Sequence, residues 1–264
     1  MPDAIPFRTL RLSMGVVLGL GLGGALLVAL TYFIGGGEHH ERFWHALHFN
    51  WLFWASLAMG MVMFAVALHL TNARWAWSIR RFALAGVMFL PVAVILFPLV
   101  HWGGYDHYFH HWTHAKGDPI IDAKKAWLSV NGMFWRDMAG ITILMVMSVL
   151  FARNQLRPDV YGAEKLKGVD DGQRAWYKRL TGNFRGVHEE AAASVSANNK
   201  LGVFLGLAYA FLWGMVGIDQ AMTMLPHWFS TMFPVAFFMT AFHGGICMTI
   251  LMVVLTRRRV GIEP

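Results

Sequence analysis

The feature that most constrains this chain is a succession of apolar runs, each long enough to cross a bilayer and separated by polar segments. The hydrocarbon core of a bilayer is about 30 Å thick, so a helix of roughly 20 apolar residues spans it. Windows of that length give six candidate spans, at residues 10–34, 43–70, 82–102, 126–152, 201–224 and 228–256. In lipid the backbone has to satisfy its own hydrogen bonds, and isolated runs of this length do so as helices. The expected fold class is therefore an all-α integral membrane protein with about six transmembrane helices, forming a single membrane domain over residues 1–264. Composition agrees: 56% of residues are hydrophobic and 14% charged, against roughly 45–50% and 25% in soluble domains. A soluble enzyme, a nucleic-acid-binding protein and a disordered chain are excluded on this ground. The single cysteine, Cys247, lies inside the last apolar run, which excludes a disulfide framework or a cysteine-ligated cluster built by this chain alone.

The first run follows Arg8 and Arg11 but is long, lacks a small-residue cleavage site and leads into Gly35-Gly36-Gly37, so it reads as a retained helix and not a cleaved leader. The net charge of +7 reports orientation first. One side of the six spans collects Arg8, Arg11, Arg74, Arg80, Arg81, the basic residues of 153–200 and Arg257-Arg258-Arg259, while the other holds only Arg42, Lys116, Lys124 and Lys125. By the positive-inside bias both termini are expected in the cytoplasm. Segment 153–200, with Asp170-Asp171, Lys178-Arg179 and an amphipathic stretch around Trp176, is too short for a core of its own. It reads as a cytoplasmic connector that packs on neighbouring subunits.

Ionisable groups inside spans are costly and mark function by default. The fourth span carries Asn131, Arg136 and Asp137, the fifth ends in Asp219-Gln220, and the sixth holds His243. Arg136 and Asp137 are consecutive, so on a helix they point about 100° apart and each needs a partner elsewhere, unless both snorkel or pair near the external end. His243, halfway along the last span, reads as a packed hydrogen-bonding residue, a proton-relay or quinone ligand, or a haem ligand. Ten of the histidines, among them His45, His48, His101 and His227, fall on or near the expected external face.

Two rival readings follow from those histidines. His107, His110, His111 and His114 are spaced to share one helical face and could build a metal site, and His107 to His111 fits the HxxHH box of di-iron membrane enzymes. Such enzymes need further boxes on the cytoplasmic face, whereas this group is expected outside, interleaved with the interfacial aromatics Tyr105, Tyr108, Phe109 and Trp112. Alternatively, His45 or His48, His101 and His243 could serve a haem-b anchor, although their expected depths are uneven. No haem or metal is assigned to the chain on this evidence.

The string Asp219-Gln220-Ala221-Met222-Thr223-Met224-Leu225-Pro226-His227-Trp228-Phe229-Ser230-Thr231-Met232-Phe233 resembles a signature of the second large membrane subunit of alternative complex III, a quinol:electron-acceptor oxidoreductase in the NrfD and polysulfide-reductase superfamily. Arg80-Arg81 after Trp75 and Trp77, Trp112-Thr113-His114, Lys124-Lys125 before Trp127-Leu128, and Phe134 followed by Arg136 are similar in order and spacing. Gln220 stands where the family has Trp, and the resemblance covers only the family's first half.

The resemblance implies a four-helix bundle made of spans two to five, holding a quinone site or a proton path, in a multi-pass subunit of a bacterial inner-membrane respiratory complex. It further implies menaquinone or ubiquinone as cofactor and redox centres on partner chains. Those partners would be a periplasmic iron–sulfur or molybdopterin-like subunit, a multihaem cytochrome and a membrane chain that supplies the missing helices, all set in lipid. Quinol oxidation releases protons, so an acid/base group must face the headgroup. Asp137, Asp219 and His243 are the proton-transfer candidates, with Arg136 as electrostatic partner. His227, Trp228 and Asn131 are the headgroup candidates.

Overall fold

The computed structural model describes residues 14–34, 38–161, 171–184 and 186–260. Arg8, Arg11, the glycines 35–37, Asp170 and the start of the first apolar run lie outside the described residues. Every regular element among the described residues is helical. In order they are α1 (Met14–Ile34), α2 (Glu38–Leu70), α3 (Trp77–Leu84), α4 (Leu90–Tyr108), α5 (His110–Thr113), α6 (Pro119–Lys124), α7 (Val130–Asp159), α8 (Asp171–Leu180), α9 (Val187–Ala208), α10 (Gly214–Gln220) and α11 (Phe233–Val260). A tight 3-10 turn at Ala85–Met88 joins α3 to α4, and a π-helical turn at Tyr209–Trp213 joins α9 to α10.

Five stretches are long and apolar enough to cross a membrane: His40–Leu70, Ile79–Tyr108, Val130–Asp159, His188–Met224 and Phe233–Thr256. The chain is thus an all-α, multi-pass membrane protein. α1 adds a further apolar helix of 21 residues, or about 32 Å at 1.5 Å per residue, and its described side chains are mostly exposed.

The core is shared by four of these helical runs. Trp51, Ala55, Met59 and Val62 of α2 meet Leu90, Ala93 and Phe97 of α4, Met133, Ile141, Leu144 and Phe151 of α7, and Leu205, Tyr209, Trp213 and Val216 of the α9–α10 run. The α2 positions recur every three or four residues, the spacing that keeps one helical face toward a neighbour. From α11 only Ala241 enters that buried cluster.

α11 is nonetheless clamped to α2. A Cβ at Gly60 would collide with the carbonyl oxygen of Ala241, and one at Gly245 would collide with the backbone of Gly60. Ala241 and Gly245 are four residues apart on α11, and both lie against Gly60. Within a bilayer, helices associate by such close backbone approach, because lipid tails are as apolar as leucine and give burial no advantage.

The α7 and α9 helices run on past their apolar parts. The His188–Met224 run has 37 residues, about 55 Å of helix against about 30 Å of hydrocarbon. Its polar first turns lie on the end of α7. Asn198 is fully buried and binds Asn154 at 3.0 Å and the Phe151 carbonyl at 3.1 Å, and Arg157 pairs with Glu190 at 3.0 Å. Arg81 pairs with Asp159 at 3.1 Å at the same end, called here the basic end. The opposite end, carrying α5, α6 and the Pro226 turn, is the histidine-rich end.

Candidate functional site: a buried carboxyl pair

Near the histidine-rich end, two consecutive residues of α7 meet two consecutive residues of α10. Ser129 starts α7 by accepting the Gly132 amide with its side chain, which places Arg136 and Asp137 in the second turn. On the facing run, the π-helical turn contains one residue more than an α-helical turn would, and such a turn re-aims all that follows. Downstream of it Asp219 and Gln220 are both fully buried.

The four side chains pair crosswise. Arg136 donates to Asp219 Oδ2 from Nε at 2.7 Å and contacts the same oxygen with Nη2 at 2.6 Å. Trp127 Nε1 donates to Asp219 Oδ1 at 2.8 Å, and the Arg136 guanidinium lies 3.9 Å over the Trp127 ring. One residue on, Gln220 Nε2 donates to Asp137 Oδ2 at 2.7 Å, while Gln220 Oε1 faces His48 Nε2 at 3.1 Å. His48 is buried and stacks on Tyr108 at 4.3 Å, whose hydroxyl donates to the Trp44 carbonyl.

The Asp137 and Asp219 carboxyls lie close enough to interact directly, and Asp137 Oδ1 has no hydrogen-bond partner. The centre therefore sets two carboxyl groups against one guanidinium. With both ionised it carries one negative charge in excess, and uptake of one proton neutralises it. Chemically it can hold, accept and release a proton within a low-dielectric bundle.

Three of the sequence candidates, Arg136, Asp137 and Asp219, are brought together here. The other four are elsewhere. His243 is exposed on the outward face of α11, with Cys247 Sγ 3.8 Å from its Nε2. Asn131 is exposed at the start of α7. His227 is exposed and pairs with Asp118 at 2.9 Å, and the exposed Trp228 packs edge-on against Phe233. Between them and α6, Lys124 donates to the Pro226 carbonyl at 2.6 Å. Asp118 also caps α6. Although desolvation pulls its carboxyl up, the amides of Ile120 and Ile121 and the neighbouring His227 hold it below the usual carboxylate range.

Two histidine expectations are altered by the backbone. α4 ends at Tyr108 and α5 begins at His110, with a break at Phe109, so His107, His110, His111 and His114 do not line one continuous helix. Among the described residues no group of three or more His, Cys, Asp or Glu is placed to hold a metal ion. His101 is fully buried and binds the Val130 carbonyl through Nε2 at 3.1 Å.

Gln220 and Trp127, which bind the two carboxyls, and His48, which lies behind Gln220, are residues that the sequence reading did not place among its proton-transfer or headgroup candidates. The signal for His48 was present: it precedes Trp51, Ala55, Met59 and Val62 at helical spacing, on the core face of α2. Gln220 was visible as a polar residue at the end of the fifth span and as a departure from the Trp of the signature that the chain resembles. No family model matches the chain, and no curated protein does.

Proposed function

We propose that this chain is a membrane subunit of a respiratory quinol/quinone oxidoreductase complex of a bacterial inner membrane, with both termini in the cytoplasm, and that its carboxyl pair handles the protons of that reaction. The observation that carries this reading is the Asp137–Asp219 pair with its single guanidinium, buried where four helices meet. Buried ionisable groups inside a bundle mark proton or substrate pathways, and a quinol must give up protons as its electrons leave. The PHWFST resemblance agrees with the same reaction class. On this reading, menaquinone or ubiquinone is the membrane carrier. The redox centres belong to a docked iron–sulfur or molybdopterin-like subunit and a multihaem cytochrome, beside further membrane subunits.

The test is substitution in the membrane complex that contains this chain. Asp137→Asn and Asp219→Asn, each assembled to the wild-type level, are expected to lose quinol turnover, proton release or both. Unchanged turnover together with unchanged proton release would overturn the proposal. A haem band or stoichiometric iron in the purified chain would instead favour the haem-anchor or di-iron readings.

A further inference from the structure

Hydrogen bonds run from His48 on α2 through Gln220 to Asp137, which lies beside Asp219, and at first sight this is a proton wire. The chemistry of its second member argues otherwise. Asp137 Oδ2 accepts from the Gln220 amide nitrogen, so the amide oxygen faces His48 and accepts from its Nε2. A carboxamide has a donor end and an acceptor end, and neither titrates. To pass a proton it would have to become an imidic acid, and turning the amide over exchanges the two ends without changing that. The link fixes orientation and conveys polarisation, but no charge moves through it. Gln220 is fully buried, as is Asp137, and His48 is nearly so, which leaves the amide as the link between His48 and the pair.

The other flank differs. Asp219 is fully buried, but the Arg136 side chain that covers it is 22% exposed and Trp127 is 43% exposed. A guanidinium and an indole offer only donors, so each can screen the pair without accepting its proton. Both bind Asp219 and not Asp137, so a proton arriving from that flank meets Asp219 first. The titratable groups around His48, namely His45, Tyr108 and His101, lie beyond the amide from the pair.

We infer that Gln220 insulates the carboxyl pair from His48, so that the pair exchanges protons by the Arg136–Trp127 side alone. This deepens the proton-handling reading and rests on it for its purpose. The exchange itself is measured without quinone, so either idea can fail while the other stands.

The experiment is infrared spectroscopy of the full chain in lipid nanodiscs, following the carbonyl stretch of the pair's protonated carboxyl after transfer to heavy water. The band is assigned by its loss in Asp137→Asn. His48→Leu is expected to leave the exchange rate unchanged. Gln220→Glu, which puts a titrating group in the chain, is expected to speed exchange by at least ~10-fold, a barrier lower by ~1.4 kcal/mol, and Trp127→Ala to speed it by opening the other flank. Slower exchange in His48→Leu overturns the inference, as does an unchanged rate in Gln220→Glu. If Gln220→Glu does not fold, the remaining two variants decide, since an unchanged rate in Trp127→Ala is equally fatal. Absence of any such band down to the pH of unfolding removes the exchangeable proton and overturns it too.

Discussion

Arg136 reaches Asp219 with two of its nitrogens and lies beside Asp137, so removing it leaves two buried carboxyls facing each other with no cation. Breaking a buried ion pair from one side costs ~3–5 kcal/mol, whereas replacing both partners by apolar groups is often neutral. Arg136→Leu is therefore expected to destabilise the chain by that amount, and Arg136→Leu with Asp219→Leu to recover most of it, as read from unfolding in mixed micelles. Additive losses would show that the two residues do not act as a pair. A second prediction concerns Asp118. Its carboxyl is held below the ordinary range, so its stabilising contribution is complete above ~3.9, the unfolded value, and is lost as pH falls through the lower folded value. The clasp between α6 and the Pro226 turn should hold at neutral and mildly acid pH and open only below that, with Asp118→Asn opening it at every pH. Protease access to the 225–232 turn measures this. At this scale the sequence was informative about need and silent about partners. The 100° between Arg136 and Asp137 required separate partners, but nothing in a linear spacing says that residues 219 and 220 provide both, because inter-helix register is a property of packing.

The π-helical turn at Tyr209–Trp213 is what makes that register work at the level of whole helices. Deleting Ala210 would restore a plain α-helix and turn everything after it by ~100°, carrying Asp219 away from Arg136. The expected result is loss of the Arg136–Asp219 coupling in a double-mutant cycle, even where the chain still folds. The α2–α11 contact gives a second expectation at this scale. Gly60→Val places side-chain atoms where Ala241 already is, and overpacking of this kind costs ~1–3 kcal/mol or more, visible as loss of α11 from the bundle or a lower unfolding midpoint. The hydropathy windows fall on the five runs that are long and apolar enough to cross, but they miss the true start of α9. A window average discards Ser194 and Asn198 as polar, whereas Ser194 donates to the Asn154 carbonyl and Asn198 is buried against α7. A polar residue paired with a polar residue leaves no trace in an apolar count.

For the molecule as a whole, the open quantity is the parity of crossings. Five helical runs meet the length and hydropathy needed to span, and α1, at 21 residues, is long enough to be a sixth. Six crossings would put both termini on one side, the side that the proposed function takes as the cytoplasm from the distribution of arginine and lysine. Reporter fusions at each terminus should therefore read alike, and opposite to a reporter in the 225–232 turn. Unlike readings at the two ends would remove α1 from the set of spans. The resemblance implies a bundle of spans two to five, which leaves α11 outside it, but the seating of α11 on α2 was not legible, because the glycines that form the seat look like any others in an apolar run.

That seat also divides the molecule mechanically. Where α2 and α11 touch backbone to backbone, neither can roll without collision, so the pair behaves as a fixed wall. α7 and α10 meet at the carboxyl centre through side chains, and side chains can change rotamer. Any rearrangement that accompanies a change of charge at Asp137 and Asp219 is therefore taken up on the α7–α10 side, with His48 carried on the wall that stays still.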